Sequence, residues 1–324
     1  MAKTQHILIT GGAGFIGSHL TERLLAEGHR VTVIDDLSTG SLDHLTAVRN
    51  DPRLEVLIAP VSRCFELPRL MRQVDAVYHL AAAVGVETAV RFPLRTIRTN
   101  LDETEPILEL ASARAVPVLL TSSSEVYGRS RKLAFDEEDD LLIGPPKFSR
   151  WSYACSKLMD EFLAMAYHRE QGLPVIITRL FNVVGPRQGG QYGMVLPRFI
   201  EAARTGRPLR VFGDGRQTRC FCYVADAVEA LIRLMHCKAA YGQIFNVGGT
   251  EEVSIRKLAE RVIQLLHSSS PIELVPYEKA YPEGFEDMRR RRPSLEKLRR
   301  FIRYVPDTPL DEIILRTAGL WKES

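Results

Sequence analysis

Residues 9–20, ITGGAGFIGSHL, constrain this chain more than any other stretch. An apolar run, HILIT at 6–10, stops at a glycine. Glycines then recur at Gly11, Gly14 and Gly17 as an amphipathic pattern opens over 15–27. Glycines there permit a tight turn from strand to helix and let a ligand approach the backbone itself. The N–H groups at the start of such a helix attract an anion. A second apolar run, 30–35, ends in Asp35, 18 residues beyond Gly17. The pattern reads as a dinucleotide site, with the pyrophosphate on the glycine turn and the adenosine ribose on the carboxylate. A carboxylate repels a 2′-phosphate, which favours NAD over NADP. Gly11, Gly14, Phe15, Ile16, Gly17, Asp35 and Asp36 are the cofactor residues this reading selects.

The alternation continues. Runs at 54–59, 74–80, 117–122 and 174–180 read as buried strands, separated by amphipathic stretches near 65–72, 97–114 and 152–170. This predicts an α/β fold, a doubly wound parallel sheet covered on both faces. After residue 182 Gly and Pro become frequent and the elements shorter. The expected division is a large NAD-binding domain of 1–182 with about 223–248, and a smaller interleaved α/β lobe of 183–222 and 249–324. The 324 residues are 45% hydrophobic and 26% charged, an ordinary globular balance. A dispersed net charge of +3 argues against nucleic acid or a membrane surface as partner. Five cysteines at irregular spacing, without a CxxC, suggest reduced thiols in a cytoplasmic protein and no metal site. The N-terminus enters a strand pattern at once, so no signal peptide is read. No apolar stretch approaches the roughly 20 residues a membrane span requires.

RWSYACSKLMDEF places Tyr153 and Lys157 four apart on a helix, hence on one face. An ammonium beside a phenol favours the phenolate and is expected to lower the tyrosine pKa from about 10 towards neutrality. A hydroxyl from the serine run TSSSEVYG, Ser123 or Ser124, would complete a device that binds and deprotonates a substrate alcohol while its hydride passes to nicotinamide.

The motifs TGGAGFIGSHL, HLAA, TSSSEVYG, YACSK, RLFNVVGPR and QTRCFCYVAD together resemble the extended short-chain dehydrogenase/reductase family, over nearly the whole chain. These are nucleotide-sugar epimerases, dehydratases and decarboxylases. The resemblance implies a Rossmann-type doubly wound domain with tightly held NAD, a C-terminal lobe for a UDP-sugar, and a homodimer built on the helices of 97–114 and 152–170. It also implies that Leu80, Ala81, Ala82 and Asn100 lie near the cofactor with Tyr153 and Lys157, and that Asn182, Arg187, Val195, Arg219 and Arg291 bind substrate. One position departs. The family carries an acid for the adenine amino group near the end of the third strand, where this chain has Pro60 and Val61.

Glu125 separates the activities within the family. Dehydratases carry Asp-Glu before Val-Tyr-Gly, and Ser124 stands at that aspartate position here. UDP-glucuronate decarboxylases are more similar, with hydroxyl-Ser-Glu-Val-Tyr-Gly. A ketone at sugar C4 is β to the C6 carboxylate, so the electrons left by departing CO₂ delocalise into it. Glu125 is expected to position the substrate acid or, if burial raises its pKa, to shuttle a proton. The stretch GFEDMRRRRPSLEKL resembles a segment of the bifunctional decarboxylases that make a UDP-4-keto-pentose, and the match falls on Arg291. A guanidinium does not readily lose its proton, so Arg291 is assigned to orienting the carboxylate. The expected activity is NAD-dependent UDP-glucuronate decarboxylation to UDP-xylose or UDP-4-keto-pentose, with Tyr153, Lys157, Ser123, Ser124, Glu125 and Arg291 catalytic. A UDP-hexose or UDP-hexuronate 4-epimerase is the alternative, needing Tyr153 and Ser123 but not Glu125. A non-catalytic NAD-sensing protein is disfavoured because the tyrosine–lysine pair is kept.

Overall fold

The computed structural model describes residues 4–190, 194–280 and 288–321, with residues 86–88 described by backbone alone. The chain runs β1 (His6–Thr10), α1 (Phe15–Ala26), β2 (Arg30–Asp35), β3 (Leu54–Ile58), α2 (Leu67–Leu70), β4 (Ala76–His79), α3 (Val86–Arg91), α4 (Pro93–Ser112), β5 (Val118–Ser123), α5 (Ser152–Gln171) and β6 (Val175–Leu180). It continues through β7 (Val183–Val184), α6 (Val195–Arg204), β8 (Leu209–Phe212), β9 (Thr218–Cys220), β10 (Cys222–Tyr223), α7 (Val224–His236), β11 (Gln243–Val247), β12 (Glu252–Ser254) and α8 (Ile255–Leu265). Last come β13 (Ile272–Val275), α9 (Tyr277–Ala280), β14 (Arg290–Arg291), α10 (Glu296–Ile302) and α11 (Leu310–Thr317).

Seven strands form one parallel sheet in the order β11-β6-β5-β4-β1-β2-β3. Strand order reverses at β1, which pairs with β2 on one side and β4 on the other. A crevice therefore opens beyond the carboxyl ends of these strands, the place where doubly wound sheets bind ligands. The strands read as unbroken apolar runs because helices cover both faces. On one face Leu20 and Leu24 of α1 and Leu231 of α7 share a core with Leu298 of α10. On the other, Leu70 of α2, Ile107 and Leu108 of α4 and Ala164 of α5 pack against Val118 and Leu120 of β5.

The lobe has its own core, in which Phe199 of α6, Leu209 of β8, Leu258 of α8 and Ile314 of α11 meet. Its β9 lies between β12 and β14. The chain crosses between the two units more often than a split at 182, 222 and 248 supposes. β11 closes the large sheet beside β6, and α10, from the C-terminal stretch, also packs on the large unit.

Candidate functional site

A cleft of about 690 Å³ lies between the carboxyl edge of the large sheet and the lobe. Its cofactor side begins at the glycine turn. Gly11 has φ +72°, and a Cβ there would lie 2.8 Å from the Ala81 nitrogen. A Cβ on Gly17 would lie 2.1 Å from the Gly11 carbonyl oxygen, so the first turn of α1 can close on the turn only without side chains. Asp35, at the end of β2, is buried and accepts from the N–H groups of Ala13 and Leu37, each at 2.9 Å. Burial pushes its pKa up, and those backbone donors pull it back. Its carboxylate thus locks the glycine turn to the strand end while still lining the cleft.

Gly14, Phe15, Ile16, Asp36, Leu80, Ala81 and Ala82 line the same wall, and Thr10 Oγ1 accepts from the Ala81 N–H at 3.2 Å. A bare backbone cradle, a helix start and an acceptor-only carboxylate fit NAD. Asn100 stands behind this wall. Its Oδ1 accepts from the Ala83 N–H at 2.7 Å and its Nδ2 donates to Ser156 at 2.8 Å, so it positions the loop after β4 without lining the cleft.

The reactive centre sits where β5 ends. Ser123 caps the short turn Ser124–Tyr127, accepting from the Glu125 N–H at 3.3 Å, and hydrogen-bonds the Tyr153 hydroxyl. Tyr153 is carried by the first turn of α5. Glu161, two turns further along α5, accepts from Ser122 at 2.5 Å and pairs with Arg179 of β6 at 2.8 Å. This buried network ties the tyrosine's helix to the serine's strand.

Two expectations fail here. Burial pushes the Tyr153 pKa up, and the Glu125 charge pushes it further; hydrogen bonding to Ser123 only partly offsets them. Lys157 shares a helical face with the tyrosine, but its ammonium is bonded to the buried Asp160 at 2.8 Å. Much of its charge is thereby neutralised, so proximity along the helix did not lower the phenol.

The second failure concerns Glu125, which is buried with its carboxylate between two guanidiniums. Arg150 Nη2 lies 2.6 Å from Oε2 and Arg291 Nη1 lies 2.7 Å from Oε1. Burial alone would raise its pKa; Arg150 and Arg291 override this and hold it at about 2. The direction of this shift opposes a proton-shuttle role for Glu125 and favours its ionised form. Beside it the Ser124 hydroxyl lines the cleft, buried and without a hydrogen-bond partner among the described residues.

The arginine run is resolved by strand period. β14 pairs with β9 in parallel, placing Arg291 opposite Arg219 and Arg290 opposite Thr218. Successive strand residues face opposite ways. Arg291 and Arg219 therefore line the cleft, while Arg290 and Thr218 turn to Glu252. Arg289 and Arg292 are exposed. The first residues of the decarboxylase-like segment, Gly284–Asp287, lie outside the described residues.

Asn182 and Val195 also line the cleft, and Asn182 donates to the Cys220 carbonyl at 2.9 Å. Arg187 does not line it. Its guanidinium pairs with Glu22 of α1 at 2.7 Å and donates to Ser18 at 3.2 Å, which clamps the loop after β7 to the large unit.

Sequence reading missed Arg150, although its position three residues before Tyr153 put it at the entrance of the same helix. It also missed Arg198 and Arg210, which bring cations to the lobe wall from segments without a recognisable motif, and Gln217, which opens the motif QTRCFCYVAD and brings an amide there. Among the described residues no cluster of His, Cys, Asp and Glu could hold a metal ion, and no helix is long and apolar enough to cross a membrane.

Residues 7–248 match the profile of the NAD dependent epimerase/dehydratase family. Among curated proteins the chain is 44% identical to a UDP-N-acetyl-alpha-D-glucosaminuronate decarboxylase of Bacillus cytotoxicus, covering 98% of this chain and 97% of the relative. It is 37% identical to UDP-glucuronic acid decarboxylase 3 of Arabidopsis thaliana, over 94% and 86% of the two chains. Similar solved structures include a UDP-N-acetylglucosamine 4-epimerase of Methanobrevibacter ruminantium in complex with UDP-N-acetylmuramic acid, at TM-score 0.89 and 28% identity over 98% of each chain. A dTDP-glucose 4,6-dehydratase of Bacillus anthracis in complex with NAD gives TM-score 0.85 and 26% identity over 98% and 96%. The glycine turn, the Asp35 carboxylate at the end of β2 and the Tyr153–Ser123 pair agree with these likenesses, and the chain belongs to the NAD-dependent epimerase/dehydratase family.

Proposed function

We propose that this protein is an NAD-dependent UDP-hexuronate decarboxylase, acting on UDP-glucuronate to give UDP-xylose or UDP-4-keto-pentose. The observation that carries this reading is the Glu125 carboxylate held between Arg150 and Arg291 beside the Tyr153–Ser123 pair. Gly11, Gly14, Gly17 and Asp35 would hold NAD, which when bound would supply the hydride acceptor for C4, where a ketone is β to the carboxylate.

Tyr153 takes the proton of the C4 hydroxyl, which Ser123 orients. Arg150 and Arg291 both line the cleft beside Glu125, and guanidiniums so placed suit a substrate carboxylate. Two uncompensated guanidiniums would stabilise that carboxylate most before it leaves as neutral CO₂. Glu125 offsets this, so the clamp orients the group without deepening the ground state. The C5–C6 bond then breaks, its electron pair entering the C4 carbonyl as an enolate, and Tyr153 returns a hydrogen bond to that oxygen. The guanidiniums do not readily release a proton and the pairing of Glu125 with them favours its ionised form, which leaves the tyrosine or a water to protonate C5. Arg219 and Asn182, with Arg198 and Arg210 further along the wall, suit the nucleotide's pyrophosphate.

The 4-epimerase reading uses Tyr153 and Ser123 and is supported by the epimerase among the similar structures. It leaves the buried charge cluster without a task. Incubation with UDP-glucuronate, its 2-acetamido analogue, UDP-glucose and UDP-galactose separates the readings. Release of CO₂ from a uronate with a UDP-pentose product by NMR is expected. Epimerised hexose with no CO₂ from either uronate would overturn the decarboxylase reading.

The homodimer is proposed on α4 and α5, where Ile97, Met159 and Phe162 are exposed. A cytoplasmic location is proposed from the cysteines, all five of which are free thiols.

A further inference from the structure

The dinucleotide half of the cleft contains a carboxylate with no part in the account above. Glu103, on α4, is 8% exposed and lines the cleft together with Ala59, Pro60 and Val61 at the end of β3. Its Oε2 accepts from the Val61 N–H and, at 3.4 Å, from the Ser62 N–H, and its Oε1 accepts from the Ser62 hydroxyl at 2.6 Å. α4 thus delivers an anion to a strand end that has none of its own.

The connectivity of NAD says what lies there. With the pyrophosphate on the glycine turn and the adenosine ribose at Asp35, the base continues outward past β2 towards the end of β3. Ala59, Pro60 and Val61 offer apolar surface to a flat ring. An ionised carboxylate only accepts, and its two oxygens have about four acceptor sites. Val61 and Ser62 use three of them, leaving one on Oε1.

We propose that Glu103 selects the base of the dinucleotide, accepting from the 6-amino group of adenine and opposing a 6-oxo group at the same position. A donor in that position meets a free lone pair, whereas a carbonyl oxygen meets the negative charge with nothing between them. This inference rests on the NAD reading of the cleft and adds a residue that the glycine and Asp35 pattern does not contain.

The test is equilibrium displacement of NADH from the full-length protein, followed by NADH fluorescence, using NAD or nicotinamide hypoxanthine dinucleotide as competitor. The wild-type protein is expected to bind NAD about 30-fold more tightly than the hypoxanthine analogue. In Glu103→Gln, whose amide can turn to donate, the ratio should fall to about threefold or less. A merely structural loss would weaken both competitors alike and leave the ratio unchanged. Pro60→Asp in the Glu103→Gln background returns a carboxylate from the strand side and should restore the preference. A wild-type ratio near one overturns the proposal without any variant, as does an unchanged ratio in Glu103→Gln. Binding of neither dinucleotide would overturn it together with the NAD reading itself.

Discussion

Glu125 Oε1 lies 2.7 Å from Arg291 Nη1, joining the turn after a central strand of the large sheet to a two-residue strand of the lobe. Glu125 is buried and Arg291 is partly buried, with side-chain exposures of 5% and 12%. Removing one partner of such a pair leaves a charge buried without its counter-ion, typically costing about 3–5 kcal/mol. Glu125→Gln should therefore lower the melting temperature and reduce CO₂ release about 100-fold or more. Transient NADH formation should fall far less. Equal loss of both would contradict the clamp.

The same residue sets an acid limb of stability. Its pKa of about 2 lies below the ordinary 4.5. A depressed folded-state pKa contributes stability that is complete above pH 4.5 and is lost as pH falls towards 2. The contribution is on the order of 3 kcal/mol. Melting temperature against pH should be steeper in this window for the wild type than for Glu125→Gln. Between about pH 5 and 8 no activity limb should arise from Glu125 itself.

Tyr153 shows the opposite behaviour. Burial and the Glu125 charge raise its pKa, so the basic phenolate is scarce at neutral pH. The single-turnover rate of C4 oxidation should rise about tenfold per pH unit through the neutral range. Because Glu125 contributes to the shift, the limb should move to lower pH in Glu125→Gln. Tyr153→Phe should reduce C4 oxidation roughly 1,000-fold while dinucleotide binding persists. Unchanged turnover would remove Tyr153 as the base.

Asp35→Asn tests the ribose contact. The amide keeps one acceptor but cannot accept from both Ala13 and Leu37, a loss of about 1–2 kcal/mol. It also removes the charge that repels a 2′-phosphate. The ratio of NADP to NAD dissociation constants should fall about tenfold or more, measured by displacement of NADH. A constant ratio would contradict the assignment.

Phe162 is 59% exposed on α5. If α4 and α5 meet their symmetry mates, Phe162→Glu places a charge in the interface and should give monomers by sedimentation equilibrium. Its melting temperature would then depend less on protein concentration than that of the wild type. An unchanged dimer would move the interface elsewhere.

Much of this protein was legible in its sequence. The large sheet followed from apolar runs alternating with amphipathic ones, and the dinucleotide cradle from glycines just after a strand and Asp35 at the end of the next. Those features are local: a turn too tight for side chains and a period set by the backbone appear wherever their residues stand. A motif likewise pointed to Tyr153 and Ser123, which the fold brings into hydrogen-bond contact.

Tertiary structure decided the charge states and the company each residue keeps. Lys157 shares a helical face with Tyr153 but bonds Asp160, and burial reversed the expected shift of the phenol. Glu125 could be read as a raised acid until Arg150 and Arg291 stood on either side of it. Arg187, expected at the substrate, instead binds α1. Only one of four consecutive arginines reaches Glu125, because β14 pairs with β9 in one register. Pairing across a fold and the loss of water around a charge depend on distances that linear order does not contain, and at this site they determine which groups hold protons.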